Sequence, residues 1–413
     1  MPDGTGWPRV ASVVLGVSGG IAAYKACELL RLFTESGHAV RVVPTAGALQ
    51  FVGAATWAAL SGNPVAISVW QDVHEVPHVH IGRQADLVVV APATADLLAK
   101  AAHGLADDLL TTTLLTARCP VVFAPAMHTE MWEHPATRDN VALLRRRGSV
   151  VLEPATGRLT GADTGPGRLP DPEEIFAVAR RVLDRGAAAA SRTDLAGRRV
   201  VVSAGGTREP IDPVRYISNR SSGRQGYALA RAAVARGAEV TLVSANVWLP
   251  DPAGAKVVPV TTAEQMRGAV LEAARDADAV VMAAAVADFR PAAPRAAKIK
   301  KSDSDPEPVA LVRNPDILVE LTSARPRYGQ VIVGFAAETG DATTSVLDHG
   351  RAKLARKGCD LLVVNEVGES KGFESARNAA VVLGADGSAT EVPEGPKEAL
   401  ADVVWDLVLA RLG

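Results

Sequence analysis

The stretch SAGGTREPIDPVRYISNRSSGRQG, residues 203–226, decides how the chain is read. A β-rich run, Arg199-Val-Val-Val202, feeds it, and a helical pattern leaves it from Tyr227. Between them stand glycine clusters, Arg208, Arg215, Arg220, Asn219 and the serine pair Ser221-Ser222, with little that is apolar. Glycine admits close backbone approach, and the helix that follows offers unpaired N–H groups and the positive end of its dipole. The arginines add donors suited to carboxylate or phosphate. A polar βα loop of this length is more often functional than a connector.

Outward from that loop the second half keeps an α/β rhythm. Strands are expected at 199–202, 239–243, 279–284, 331–335 and 360–364. Helices are expected at 225–236, 263–277, 349–357 and 396–411, with a hairpin turning at Asp386-Gly387. The first half opens on a buried run, 10–17, a Ser18-Gly19-Gly20 turn, a helix over 21–35 and a strand at 39–43. Further buried runs at 86–91 and 120–124 end in the polar segments 92–96 and 125–132. Ligands gather at the carboxyl ends of strands in open α/β sheets, so these three loops should converge. The pattern predicts two doubly wound parallel-sheet domains. The low-complexity segment 185–192 separates them, giving 1–190 and 191–413.

The 413 residues are 48% hydrophobic with a net charge of −2, which suits soluble globular domains with large cores. That balance gives no general pull toward nucleic acid or an acidic membrane. Three scattered cysteines form neither a metal set nor a disulfide framework, no apolar run nears the ~20 residues of a membrane span, and the N-terminus carries no export pattern. A cytoplasmic protein is expected.

Four segments carry candidate chemistry. The run 283–289, AAAVADF, leaves room at a strand end for a flat ligand, with Asp288 as a hydrogen-bond acceptor. Lys298 and Lys300 alternate in AKIKK as on a mobile strand, suited to closing over a triphosphate; a solvated edge strand is the plainer reading. His78 and His80 fall on one face of an extended segment; a metal pair finds no third ligand of matching spacing, whereas a general base near the strand ends is chemically apt. The glycine- and proline-rich run 156–170 suits a lid.

Together these segments resemble the bacterial bifunctional phosphopantothenoylcysteine decarboxylase/phosphopantothenate–cysteine ligases over nearly the whole chain. The resemblance rests on GVSGGIAAYK (16–25), APATADLLAK (91–100), PAM..MW (125–132), GTREPIDPVRYISNRSSG (206–223), AAVADF, KIKK, NPDI (314–317) and GFAAET (334–339). It implies a flavodoxin-like FMN-binding domain followed by a Rossmann-like ligase domain. The ligase would activate 4′-phosphopantothenate with CTP and Mg²⁺ as an acyl-cytidylate, which cysteine then captures. The flavin domain would decarboxylate the product to 4′-phosphopantetheine.

By motif position, Lys298 and Asn219 match the family's ligase catalytic residues, and Arg215 with Asn219 its phosphopantothenate contacts. Ala283, Ala284, Asp288, Lys298, Pro315, Asp316, Ile317, Leu318, Phe335, Lys353 and Lys357 match its CTP contacts. Ser18, Gly19, Gly20, Thr45, Thr94, Ala95, Asp96 and Leu97 would hold FMN, and His78 aligns with the decarboxylase histidine. The resemblance also implies trimeric N-terminal and dimeric C-terminal contacts building a homododecamer around these small-molecule substrates.

Two positions depart from the pattern. The lid cysteine that donates a proton is Gly161 here, and the substrate-contacting asparagine after PAM is His128. Thr160, Asp163 or water would then donate the proton, or the flavin domain serves only as an assembly scaffold for a ligase. A nicotinamide-dependent dehydrogenase is the remaining reading; it requires a GxGxxG after a first strand, which neither half carries.

Overall fold

A strand covered by helices on both faces must be apolar along its length, and such runs build the centre of both sheets. The computed structural model describes residues 10–65, 77–158, 163–186, 192–300, 308–338, 346–366 and 377–412. The chain divides into two compact units, Met1–Arg192 and Thr193–Gly413.

In the first unit the elements are β1 (Ser12–Val17), α1 (Lys25–Glu35), β2 (Ala39–Pro44), α2 (Ala54–Ser61), α3 (Pro77–Gln84), β3 (Leu87–Ala93), α4 (Ala95–His103) and α5 (Leu109–Thr116). They continue with β4 (Val121–Pro125), α6 (Thr129–Glu133), α7 (Pro135–Arg146), β5 (Val150–Val151), β6 (Ala155–Arg158), β7 (Thr164–Arg168) and α8 (Pro172–Arg185). The five-stranded sheet is parallel, in the order β2-β1-β3-β4-β5. This is the flavodoxin-like winding, whose crossovers diverge between β1 and β3. Leu29, Leu30 and Phe33 of α1, Trp57 of α2 and Ile175 and Val182 of α8 fill one face. Leu97, Leu98, Leu109, Leu110 and Leu144 from α4, α5 and α7 fill the other.

The second unit contains β8 (Arg199–Gly205), β9 (Arg208–Pro210), β10 (Tyr216–Ser218), α9 (Arg224–Ala235), β11 (Glu239–Ala245), β12 (Ala255–Val260), α10 (Ala263–Ala274), β13 (Ala279–Met282) and β14 (Phe289–Pro291). Then follow β15 (Leu311–Arg313), α11 (Ile317–Ser323), β16 (Val331–Glu338), α12 (Val346–Lys357), β17 (Leu361–Glu366), β18 (Arg377–Gly384), β19 (Ala389–Pro396) and α13 (Lys397–Leu412). Its eight-stranded sheet runs β12-β11-β8-β13-β16-β17-β18-β19. The first six are parallel in the Rossmann order 3-2-1-4-5-6, and β18 and β19 add an antiparallel hairpin. The α9 and α13 helices cover one face, centred on Tyr227 and Trp405; α10, α11 and α12 cover the other.

Two expectations are corrected. Residues 77–81 are not extended: Pro77 opens α3, so positions 78 and 80 lie about 200° apart around a helix rather than on one face, and residue 76 lies outside the described residues. Lys298 and Lys300 do not lie on a strand, because residues 294–300 have no regular structure and no ladder partner among the described residues. The segment 156–170 is more ordered than a bare lid: β6 and β7 pair antiparallel as two arms of a hairpin. Gly161, at its turn, lies outside the described residues.

Trp405 is fully buried and its indole N–H donates to the Leu229 carbonyl at 2.9 Å, tying α13 to α9. Trp405→Ala should lower the second unit's stability by about 3–5 kcal/mol, read from denaturant melts, through the cavity it leaves.

Candidate active sites

In the first unit the three strand-end loops do converge. The Ser18 hydroxyl, almost fully buried, donates to the Pro92 carbonyl at 2.8 Å and accepts the Thr94 N–H at 3.0 Å. It locks the turn after β1 to the loop after β3, across the point where the crossovers diverge. The Ala126 N–H donates to the Ala93 carbonyl at 3.1 Å, bringing in the third loop. Thr45 accepts the Ala48 N–H at its Oγ1, and its own N–H donates to the Val17 carbonyl at 2.9 Å. Thr94 caps α4 by accepting the Leu97 N–H, which places Ala95, Asp96 and Leu97 on that helix's first turn.

The turn fits a phosphate because it is bare backbone. A Cβ built on Gly19 would stand 2.9 Å from the Gly47 backbone, so no other residue is accommodated without movement. Ser18, Gly19, Gly20 and Thr45 thus form a cradle beside the N-terminus of α4.

The β6–β7 hairpin abuts the third loop. The Met127 N–H donates to the Gly167 carbonyl at 2.9 Å, and a Cβ on Gly167, at φ +147°, would meet the Met127 carbonyl oxygen at 2.3 Å. His128 stands at the N-cap position of α6 in the same loop, without a side-chain capping bond, so the hairpin lies against the position that departs from the family pattern. No group of three or more His, Cys, Asp or Glu side chains able to hold a metal occurs among the described residues.

In the second unit the glycine-rich stretch grips the run 283–288. Ser203 Oγ accepts the Ala284 N–H at 3.1 Å, the Ala285 N–H donates to the Gly205 carbonyl at 2.8 Å, and Thr207 Oγ1 accepts the Ala287 N–H at 3.0 Å. Gly205, at φ +83°, lies where a Cβ would collide with the Ala245 carbonyl oxygen. The Asn219 amide donates to the Val286 carbonyl at 3.0 Å, and Asn314 binds the Ala287 and Asp288 carbonyls.

Above this shelf lies a cavity of about 1000 Å³, at the upper end of ordinary ligand pockets and roomy enough for two reactants. Asn219, Ala283, Ala284, Asp288, Pro315, Asp316, Ile317, Leu318, Phe335, Lys353 and Lys357 all line it. Seven lysines and arginines against two aspartates make the lining electropositive. Asp316 caps α11 through the Val319 N–H and forms an ion pair with Lys357.

Lys298 and Arg215 are not among the lining residues. Lys298 is exposed, and Arg215 pairs with the buried Asp212 at 2.6 Å.

Sequence reasoning missed Arg356, Asn365, Asn378 and Lys397, which also line the cavity. Asn365 follows the buried run of β17, the same polar-after-apolar signal that singled out the other strand ends. Its Oδ1 and the Gln225 Oε1 are buried acceptors with no donor among the described residues, suited to N–H groups of a ligand. Lys397, 7% exposed, gives no such signal; burial pushes its amine below the usual range, opposed by Glu398 and reinforced by Arg224. No described helix is long and apolar enough to cross a membrane.

Two family models match the chain, one in each half. Residues 8–183 match the family described as "Flavoprotein", and residues 195–412 match "DNA/pantothenate metabolism flavoprotein C-terminal domain". The chain is 62% identical over 406 residues to the coenzyme A biosynthesis bifunctional protein CoaBC of Mycolicibacterium smegmatis, covering 97% of each chain. It is 42% identical over 403 residues to the protein of that name from Vibrio cholerae, covering 96% of this chain and 97% of the other. A crystal structure of the C-terminal domain of a CoaBC protein is 34% identical, covering 53% of this chain and 98% of that one, with a TM-score of 0.45.

The contact between Gly167 and Met127 is testable. Gly167→Ala must lift the hairpin from the third loop, so hydrogen exchange at the Met127 amide should accelerate. The first unit should lose about 1–3 kcal/mol of stability in denaturant melts.

Proposed function

The chain belongs to the family of bacterial coenzyme A biosynthesis bifunctional proteins, and from that premise we propose how its side chains divide two reactions. It joins cysteine to 4′-phosphopantothenate in the second unit and decarboxylates 4′-phosphopantothenoylcysteine to 4′-phosphopantetheine, with FMN, in the first.

The observation that carries the ligase assignment is the electropositive cavity at the sheet's switch point, lined by the small-residue shelf and Asn219. A carboxylate oxygen of 4′-phosphopantothenate attacks the α-phosphorus of CTP, and pyrophosphate leaves with the electrons of the broken P–O bond. The cysteine amine then attacks the acyl carbon, CMP leaves, and the amine loses its proton to solvent. Ala283 and Ala284 leave room for the cytosine plane, walled by Pro315, Ile317, Leu318 and Phe335.

Lys353 and Lys357 take the triphosphate, so Lys357 exchanges Asp316 for a phosphate oxygen, and Mg²⁺ enters with the nucleotide. Asp288 accepts from the nucleoside. Lys298 neutralises charge growing on the phosphates as the P–O bond breaks. Asn219, whose amide N–H is held by Val286, turns Oδ1 toward the attacking amine. Arg215 and Asn219 contact 4′-phosphopantothenate.

In the first unit Ser18, Gly19, Gly20 and Thr45 hold the FMN phosphate, and Thr94, Ala95, Asp96 and Leu97 line the flavin. FMN held there would supply a reversible two-electron acceptor for oxidation of the substrate thiol. His78 takes the thiol proton, and His128 contacts the substrate in place of an asparagine. With Gly161 at the lid cysteine's position, Thr160, Asp163 or water returns the last proton. That substitution also motivates a second reading, in which the flavin unit is an assembly scaffold.

Exposed Phe289, Leu311 and Val312 on the β14–β15 arm suit a dimeric contact, which with trimeric flavin units would build a dodecamer.

Lys298→Gln should slow ligation on the order of 10²–10³-fold in kcat, measured as CTP-dependent coupling of cysteine in a folded protein. A variant working at the parental rate would falsify the lysine's role. Anaerobic mixing of the parent protein with 4′-phosphopantothenoylcysteine should release carbon dioxide. Full ligase activity without that release would establish the scaffold reading instead.

A further inference from the structure

We propose that Asp212 is a positioning residue for ligation: with Arg215 it holds the backbone of Ile299 from both sides and so sets where Lys298 leaves the chain. The inference rests on the assignment of Lys298 above.

Asp212 sits at the tip between β9 and β10, 3% exposed, with its carboxylate fully engaged. Its Oδ1 accepts the Val214 and Arg215 N–H groups, both at 2.8 Å, which is all that building the tip requires. Its Oδ2 does something else. It accepts Arg215 Nε at 2.9 Å and Nη2 at 2.6 Å, and also the Ile299 N–H at 3.2 Å. Arg215 Nη2 then donates to the Ile299 carbonyl at 2.8 Å. Both polar groups of one backbone residue, 87 positions from Asp212, are therefore held by one ion pair.

Burial alone would raise the Asp212 carboxyl. The Val214 N–H, the Arg215 guanidinium and the Ile299 N–H outweigh burial and hold it well below the usual carboxylate range.

Ile299 is the residue between Lys298 and Lys300, in a segment without regular structure. A second tether stands four residues earlier, where the Arg295 N–H donates to the Ile211 carbonyl at 2.9 Å. The two tethers restrict the backbone on which Lys298 is mounted. A long lysine on an untethered chain would lose conformational entropy each time it met a phosphate. Prior restriction removes part of that cost from the transition state.

The test uses the full chain, with Asp212→Asn, Lys298→Gln and the double variant compared in CTP-dependent ligation. Asparagine keeps an acceptor for the tip amides and removes the charge that orients Arg215. Asp212→Asn should lower kcat on the order of 10²-fold, leave flavin absorption unchanged and speed tryptic cleavage after Lys298 and Lys300. At saturating 4′-phosphopantothenate the double variant should be no slower in kcat than Lys298→Gln alone, because Asp212 acts on turnover through Lys298, whereas a loosened Arg215 would show in KM. Losses that multiply in the double variant would overturn the inference, as would a parental kcat for Asp212→Asn. Lys298→Gln at the parental rate would instead remove the premise, a separate outcome. Should Asp212→Asn fail to fold, Ile299→Pro removes the N–H that Asp212 receives and leaves the tip whole, while also fixing φ at 299 and narrowing the backbone range of Lys298; it should lower kcat, and a parental rate would overturn the inference.

Discussion

A parallel sheet wound in both directions leaves a gap where neighbouring crossovers depart to opposite faces, and that gap cannot be filled by the sheet's own backbone. Both units are organised around it. In the first, the divergence lies between β1 and β3, and the Ser18 hydroxyl stitches its two sides together. In the second it lies between β8 and β13, and Ser203, Gly205 and Thr207 stitch it by holding the amides of 284–287. Each gap becomes a rigid rim of backbone on which side chains from other elements are mounted.

The rim explains why so much of each site was readable from the residues alone. Strands buried on both faces must be apolar, so β1, β3, β8, β13 and β16 announce themselves, and whatever polar residues follow them stand at the rim. Glycine at 205 and 167 is demanded by carbonyl oxygens where a Cβ would lie. Such demands are local, and local demands survive in a linear reading.

What was not readable depends on partners far along the chain. The alternation in 76–81 reads as extended, but six residues are too few to separate periods of 2 and 3.6; Pro77 at a first helical position is the better guide. The alternation around Lys298 failed for a different reason. No strand among the described residues lies beside it, and its tethers come from Asp212 and Arg215, more than eighty residues away. Lys397 entered the cavity unannounced because it is the first residue of α13, brought there by the packing of that helix on α9.

The buried Ser18 hydroxyl has a bearing on how this protein can vary. Because its proton goes to Pro92 and a lone pair to Thr94, an anion held at this turn, as proposed for the FMN phosphate, would be met chiefly by main-chain N–H groups. Main chain is common to all residues, so drift at the neighbouring exposed positions Ile21 and Tyr24 can proceed without erasing recognition. Selection at this turn therefore acts on shape, admitting few replacements where glycines touch and many immediately beside them.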